Sequence, residues 1–208
     1  TNQQGEAYTD CTKRFGNQVD YMAYFDDDEF LVLFKHSNVG DFVKDTLVEG
    51  SSLTVNWRVF GTSQHFEYAP QPITKRNVHR MTETHENLKS FVRPQDYEGF
   101  ISAHAVKLKE GDNQDLPQPP MWRDTTGGTG KYTSIGHANY DRPDDVAVFH
   151  HYKFKSEAEW RWKTCERLRL TYSRNANEEC GKPIPPTLEA TKDDVAWHIL
   201  KRRVPKYA

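Results

Sequence analysis

The sequence predicts an α/β domain built on a mixed sheet. Short apolar runs of strand length alternate with helix-spaced segments in the first half of the chain. Residues 53–59 alternate strictly, with Leu53, Val55, Trp57 and Val59 against Thr54, Asn56 and Arg58. The 11 Phe, 10 Tyr and 5 Trp supply the bulk that a core requires in a chain only 36% hydrophobic. Strands followed by helices, then by strands and loops, give a mixed sheet with helices against it.

Residues 3–15 read as a helix. Tyr8, Cys11 and Phe15 share one face, and Gly16-Asn17 ends it. Residues 19–25 read as a strand buried on both faces, and a second apolar run follows at 30–34. Residues 39–48 read as a helix with Phe42, Val43 and Leu47 inward, and Gly61 closes the alternating strand. Residues 62–87 are polar and irregular. Strands are expected at 88–92 and 100–108, with Pro94 between them. Residues 109–145, rich in proline and glycine, read as a long loop of the kind that is functional or mobile. A strand at 146–152 precedes a helix capped by Ser156, with Glu159 completing a capping box. After Pro183, Pro185 and Pro186, a last helix starts at Thr191. It has Asp193 and Asp194 in its first turn and Lys201-Arg202-Arg203 in its last, as the helix dipole favours. Residues 1–170 form the expected domain, and 171–208 a linker and helix.

The 28 Lys+Arg and 30 Asp+Glu nearly cancel, which argues against a nucleic-acid-binding field. No apolar run approaches the ~20 residues of a membrane span. Cys11, Cys165 and Cys180 are too few and too irregular for a zinc ribbon or a disulfide framework. Whether Cys165 and Cys180 pair is left open.

Asp26-Asp27-Asp28-Glu29 is the sharpest feature. Adjacent carboxylates at the end of a core strand repel each other unless a cation or basic groups offset them. Two carboxylates one residue apart suit a hard divalent ion. His150-His151 ends another strand, and an imidazole beside such an ion is a natural further ligand. Trp57 falls in phase with core residues, and Arg58 is suited to a phosphate. Gly127-Gly128-Thr129-Gly130-Lys131 fails the phosphate-loop pattern, because Tyr132 follows the lysine, and reads instead as a flexible lid.

Several segments, in order, resemble glycosyltransferases of family 92 and the family-2-like group, which have a GT-A fold. They are Gln4, Tyr8 and Cys11; Tyr24-Phe25-Asp26-Asp27-Asp28-Glu29-Phe30-Leu31; Asn56-Trp57-Arg58-Val59-Phe60-Gly61-Thr62-Ser63; Asn87-Leu88-Lys89-Ser90-Phe91-Val92-Arg93-Pro94; His104; and His151-Tyr152-Lys153-Phe154-Lys155-Ser156 with Glu159. The resemblance implies a GT-A-like mixed sheet flanked by helices, with this chain as the C-terminal portion of the domain. It also implies a nucleotide-sugar donor, a divalent ion, usually manganese, and an inverting transfer to a hydroxyl of a glycan or glycoconjugate acceptor. Asp26, Asp28 and His151 are then the expected metal residues. Asp26, Glu29, Trp57, Arg58, His104 and Lys155 are the expected substrate residues. The general base stays open among Glu67, Glu83, Asp96 and Asp124. Relatives of this kind imply the secretory pathway and the Golgi membrane, with any anchor in a segment upstream of Thr1, and a cytoplasmic location is the alternative. The competing classes are a non-catalytic carbohydrate- or cation-binding module and, more weakly, a metal-dependent hydrolase.

Overall fold

The computed structural model describes residues 3–109, 122–167 and 180–207. It divides into two compact units. The first is Thr1–Asp27, Leu31–Trp57 and Thr84–Phe149; the second is Asp28–Phe30, Arg58–Glu83 and His150–Ala208. The division cuts the acidic run between Asp27 and Asp28. Among the described residues no helix is long and apolar enough to cross a membrane.

The first unit holds most of a mixed sheet. Its strands are β1 (Met22–Ala23), β2 (Glu29–Leu33), β3 (Ser52–Val59), β5 (His85–Val92), β8 (Trp122–Arg123) and β9 (Ala147–His151). Their order is β1-β5-β3-β9-β2, with β8 parallel beside the start of β3 and β5 antiparallel to both β1 and β3. Helix α1 (Gln3–Phe15) leads into β1, and α2 (Val39–Thr46) follows β2. Asn38 caps α2 by accepting from the Asp41 N–H at 2.9 Å. Phe42 packs edge-on to Phe91 at 5.9 Å, and Phe91 stacks on Phe149 at 6.3 Å, so the core is aromatic as the composition requires.

Residues 19–25 do not form the expected strand. Only Met22–Ala23 pair with β5, and Val19 and Phe25 are 43% and 47% exposed. The run is apolar but has a partner on one edge over two residues only. The expected strand at 100–108 is instead a hairpin of β6 (Tyr97–Phe100) and β7 (Val106–Leu108), closed over Val92, Tyr97, Val106 and Leu108. Gly16 is needed where α1 ends, because a Cβ there would lie 2.7 Å from Pro94 Cβ.

The alternation in β3 marks a strand, but its polar side is not solvated. Thr54 and Asn56 are fully buried. Thr54 bonds the Tyr132 hydroxyl at 2.7 Å. The Asn56 amide donates to the carbonyls of His85, Glu86 and Asn139 at 3.1, 2.9 and 3.2 Å. The register of β3 on β5 jumps here, from Asn56 opposite Leu88 to Trp57 opposite His85. Asn56 takes up the carbonyls that this irregularity frees from the ladder.

The second unit contains β4 (His79–Arg80) paired antiparallel with β10 (Thr191–Lys192), and helices α3 (Ile73–Arg76), α4 (Glu157–Arg161) and α5 (Val195–Arg203). Order therefore exists inside 62–87. The last helix starts four residues later than expected, since Thr191–Lys192 are drawn into a strand. Phe60 packs on Tyr152 at 4.5 Å and Phe154 on Trp160 at 4.6 Å. A Cβ at Gly61 would approach the Leu188 carbonyl to 2.8 Å, so this close crossing needs glycine. Glu189 fastens it, accepting from Ser63 N–H at 2.9 Å and Thr62 Oγ1 at 3.3 Å.

Ser156 begins α4 with the expected capping box. Its Oγ accepts from Glu159 N–H at 3.2 Å, and Glu159 Oε2 accepts from Ser156 N–H at 3.1 Å. Ser156→Ala should cost about 1 kcal/mol in a urea melt, with no change in slope. A loss under 0.3 kcal/mol would show that the cap adds nothing here. Past Arg161 the helix continues as a π-helix, Trp162–Arg167, and Cys165 is disulfide-bonded to Cys180.

Candidate functional site

Two of the three expected metal residues meet in the second unit. Asp28 is buried, with 7% of its side chain exposed. His151, at the end of β9, brings Nε2 to 3.6 Å from Asp28 Oδ1. Lys155 and Lys163 bring Nζ to 3.9 and 3.8 Å from Asp28 Oδ2. The backbone fixes this group from both sides, because the Tyr152 N–H donates to the Asp28 carbonyl at 2.8 Å. Glu29, next in sequence, is buried as well. Lys155 has a positive φ of 61°, a strained value for a residue with a side chain. Its carbonyl is held by the Asn77 amide. Burial pushes the Lys163 ammonium below its ordinary pKa, and the Asp28 carboxylate opposes that shift.

One buried carboxylate thus faces an imidazole and two lysines. Such a group attracts a polyanion, and its carboxylate and imidazole are both metal-ligating types. Among the described residues no three His, Cys, Asp or Glu side chains are placed to hold a metal ion together.

Asp26 belongs to the first unit and is paired there with Lys89, Nζ to Oδ2 at 3.3 Å. The Lys89 side chain is fully buried. Tyr8 stacks on Tyr24 at 4.4 Å, and the Gln4 amide lies 3.5 Å from Asp26 Oδ1. Trp57 is buried edge-on to the His104 ring at 5.1 Å. Burial, with help from Lys89, lowers the His104 pKa, and its Nδ1 lies 3.0 Å from the Leu88 carbonyl.

Arg58 and His150 enter a different cluster of the second unit. Asp193 Oδ2 receives Arg80 Nε at 2.7 Å and Arg58 at 3.3 Å, and His150 Nε2 lies 3.7 Å away. Burial works to raise the Asp193 carboxyl, but His150 and Arg80 outweigh it and its pKa falls. Burial drives the His150 pKa down to about 3, with the two arginines assisting. This histidine is therefore neutral in the fold and protonates in the unfolded chain below ~6.5. Its contribution to stability is complete above pH 6.5 and fades as pH falls from there toward 3, by about 1 kcal/mol per unit. A His150→Leu variant should show a shallower loss between pH 6 and 4 in urea melts. Equal slopes in the two proteins would contradict this.

Lys89 and Lys163 were not singled out as site residues by the sequence. A lysine between Leu88 and the Ser90-Phe91-Val92 run was the available signal, since a charge inside a buried strand requires a partner. Lys163 carried no local signal. Asp124, a candidate base, anchors its own loop. It accepts from Thr126 N–H at 2.9 Å, Thr126 Oγ1 at 2.6 Å and Gly128 N–H at 3.2 Å. The glycine-rich stretch is thereby wound round a buried carboxylate.

The family model of glycosyltransferase family 92 matches residues 1–187. The chain belongs to glycosyltransferase family 92, and its chemistry is glycosyl transfer between a sugar donor and an acceptor. No curated protein matches the chain.

Proposed function

We propose that the protein is a metal-dependent, inverting glycosyltransferase that uses a nucleotide-sugar donor. The observation that carries this reading is the buried Asp28 carboxylate with His151, Lys155 and Lys163 within 4 Å. Asp28 and His151, with Nε2 3.6 Å from Oδ1, are the residues that would hold a divalent ion of the kind that accompanies nucleotides. When bound, manganese acts as a Lewis acid on the leaving diphosphate. Lys155 and Lys163 hold the same diphosphate by charge and limit its motion during departure. In the transfer the acceptor oxygen bonds to the anomeric carbon and the bond from that carbon to the diphosphate oxygen breaks. The electron pair leaves with the nucleoside diphosphate, and the acceptor proton passes to a carboxylate base.

The Cys165–Cys180 disulfide supports an oxidising compartment, which agrees with the secretory pathway and a Golgi location. The test is a screen of nucleotide-sugar donors with manganese, reading nucleoside diphosphate release and the anomeric configuration of the product. Release that is independent of manganese, or a product that retains the donor configuration, would overturn the corresponding part of the reading.

A further inference from the structure

A groove of about 700 Å³ lies along α4 in the second unit. Its lining includes Phe66, Glu67, Glu157, Trp160, Arg161 and Lys182. Resting on the glycosyltransferase reading above, we propose that this groove is the acceptor site and that it takes a saccharide ring stacked on Phe66.

The lining has the chemistry of a sugar site. Phe66 is 67% exposed on the groove wall, so its ring face is open to a ligand. Carboxylates and cations surround it. A sugar presents an apolar C–H face to an aromatic ring and a belt of hydroxyls to charged side chains that both donate and accept. An apolar peptide helix or a second copy of this chain would leave those charges desolvated.

Phe66 is also held in place. Its carbonyl accepts from Ala158 N–H at 2.9 Å, and the His65 carbonyl accepts from Glu157 N–H at 3.0 Å. The ring is therefore presented from a backbone fastened to the start of α4, which lowers the entropy lost on binding. The groove wall at 181–184 follows Cys180, whose disulfide to Cys165 ties it to the helix beside Thr164.

A chain of two contacts links the groove to the Asp28 cluster. Trp160 lines the groove, and the Lys163 ammonium lies 6.0 Å from its ring centroid and 3.8 Å from Asp28 Oδ2. A saccharide on Phe66 is thus separated from the carboxylate proposed to hold the donor by the buried Trp160 and one lysine.

The experiment uses the purified chain on a printed array of oligosaccharides and matched glycosylated and bare peptides. In parallel, uridine and guanosine diphosphate with manganese are titrated in solution. The wild type should bind a subset of the glycans. Phe66→Ala should weaken that binding about tenfold, while Phe66→Tyr, which keeps the face, and Tyr140→Ala, an exposed aromatic of the other unit, leave it unchanged. Phe66→Ala should leave nucleotide binding intact, and Asp28→Asn should do the reverse. Absence of glycan binding by the wild type, glycan binding indifferent to Phe66, or equal binding of bare peptides would overturn the groove assignment. Phe66-dependent glycan binding without nucleotide binding by the wild type would sink the donor reading and keep the groove as a saccharide site.

Discussion

Asp28→Asn should abolish manganese-dependent nucleotide binding and lower sugar transfer by about a thousandfold. The substitution keeps the size of the side chain and removes its charge. His151, Lys155 and Lys163 are then left facing a neutral amide. On the proposed reading the ion would lose its carboxylate ligand, and the loss would be read as lost manganese-dependent binding. Both lysine side chains are about 30% exposed, so water screens part of the repulsion and the fold should survive. Asp27→Asn is the matched control, since Asp27 is exposed. Isothermal titration with manganese and the nucleotide, beside a urea melt, separates a lost site from a lost fold. Unchanged manganese affinity in a folded Asp28→Asn protein would refute the assignment.

Arg76→Ala should destabilise the protein by about 3 kcal/mol. Arg76 is buried and gives Glu159 two parallel bonds, from Nη1 at 2.8 Å and Nη2 at 3.2 Å. The same carboxylate completes the Ser156 cap, so a single guanidinium supports both α3 and the start of α4. Burial works to raise the Glu159 pKa, but Arg76 and Ser156 outweigh it and hold the carboxyl below its ordinary range. The sign follows. The pair's contribution is complete above the unfolded carboxyl value and is lost as pH falls through the lowered folded one. Arg76→Lys should recover only part of the loss, because an ammonium cannot give the paired geometry. Urea melts of both variants at pH 7 provide the measurement. An Arg76→Ala loss below 1 kcal/mol would mean that solvent already satisfies Glu159.

The sequence was most legible where a signal is local. The Ser156 cap and the strand over residues 53–59 with its closing Gly61 follow from residues read in short windows, whereas the pairing of Asp28 with His151 was an implication of the resemblance and not of any local signal. Residues 19–25 misled because apolar composition reports burial only when a partner strand exists, and β5 pairs with just two of them. The hairpin at 97–108 was hidden because its turn lies in 101–105, inside a run read as continuous strand. Lys163 escaped notice for a different reason. Its role depends on a carboxylate 135 positions earlier and on a π-helical turn that periodicity at 3.6 residues does not describe. The ion pair of Arg58 with Asp193 joins residues 135 positions apart, and no short window could show it.

The second unit is assembled from three stretches of chain, 28–30, 58–83 and 150 onward. On the ribosome, therefore, Asp28 emerges long before the lysine at 163 that faces it. At about 5–20 residues per second that interval is roughly 7 to 27 s. Until residue 151 has been made the carboxylate has none of its three basic partners, and the last of them, Lys163, arrives only at the end of the interval. No amino-terminal stretch of the nascent chain that stops short of Lys163 can contain the complete cluster. Assembly of the Asp28 cluster is consequently a late event in biosynthesis.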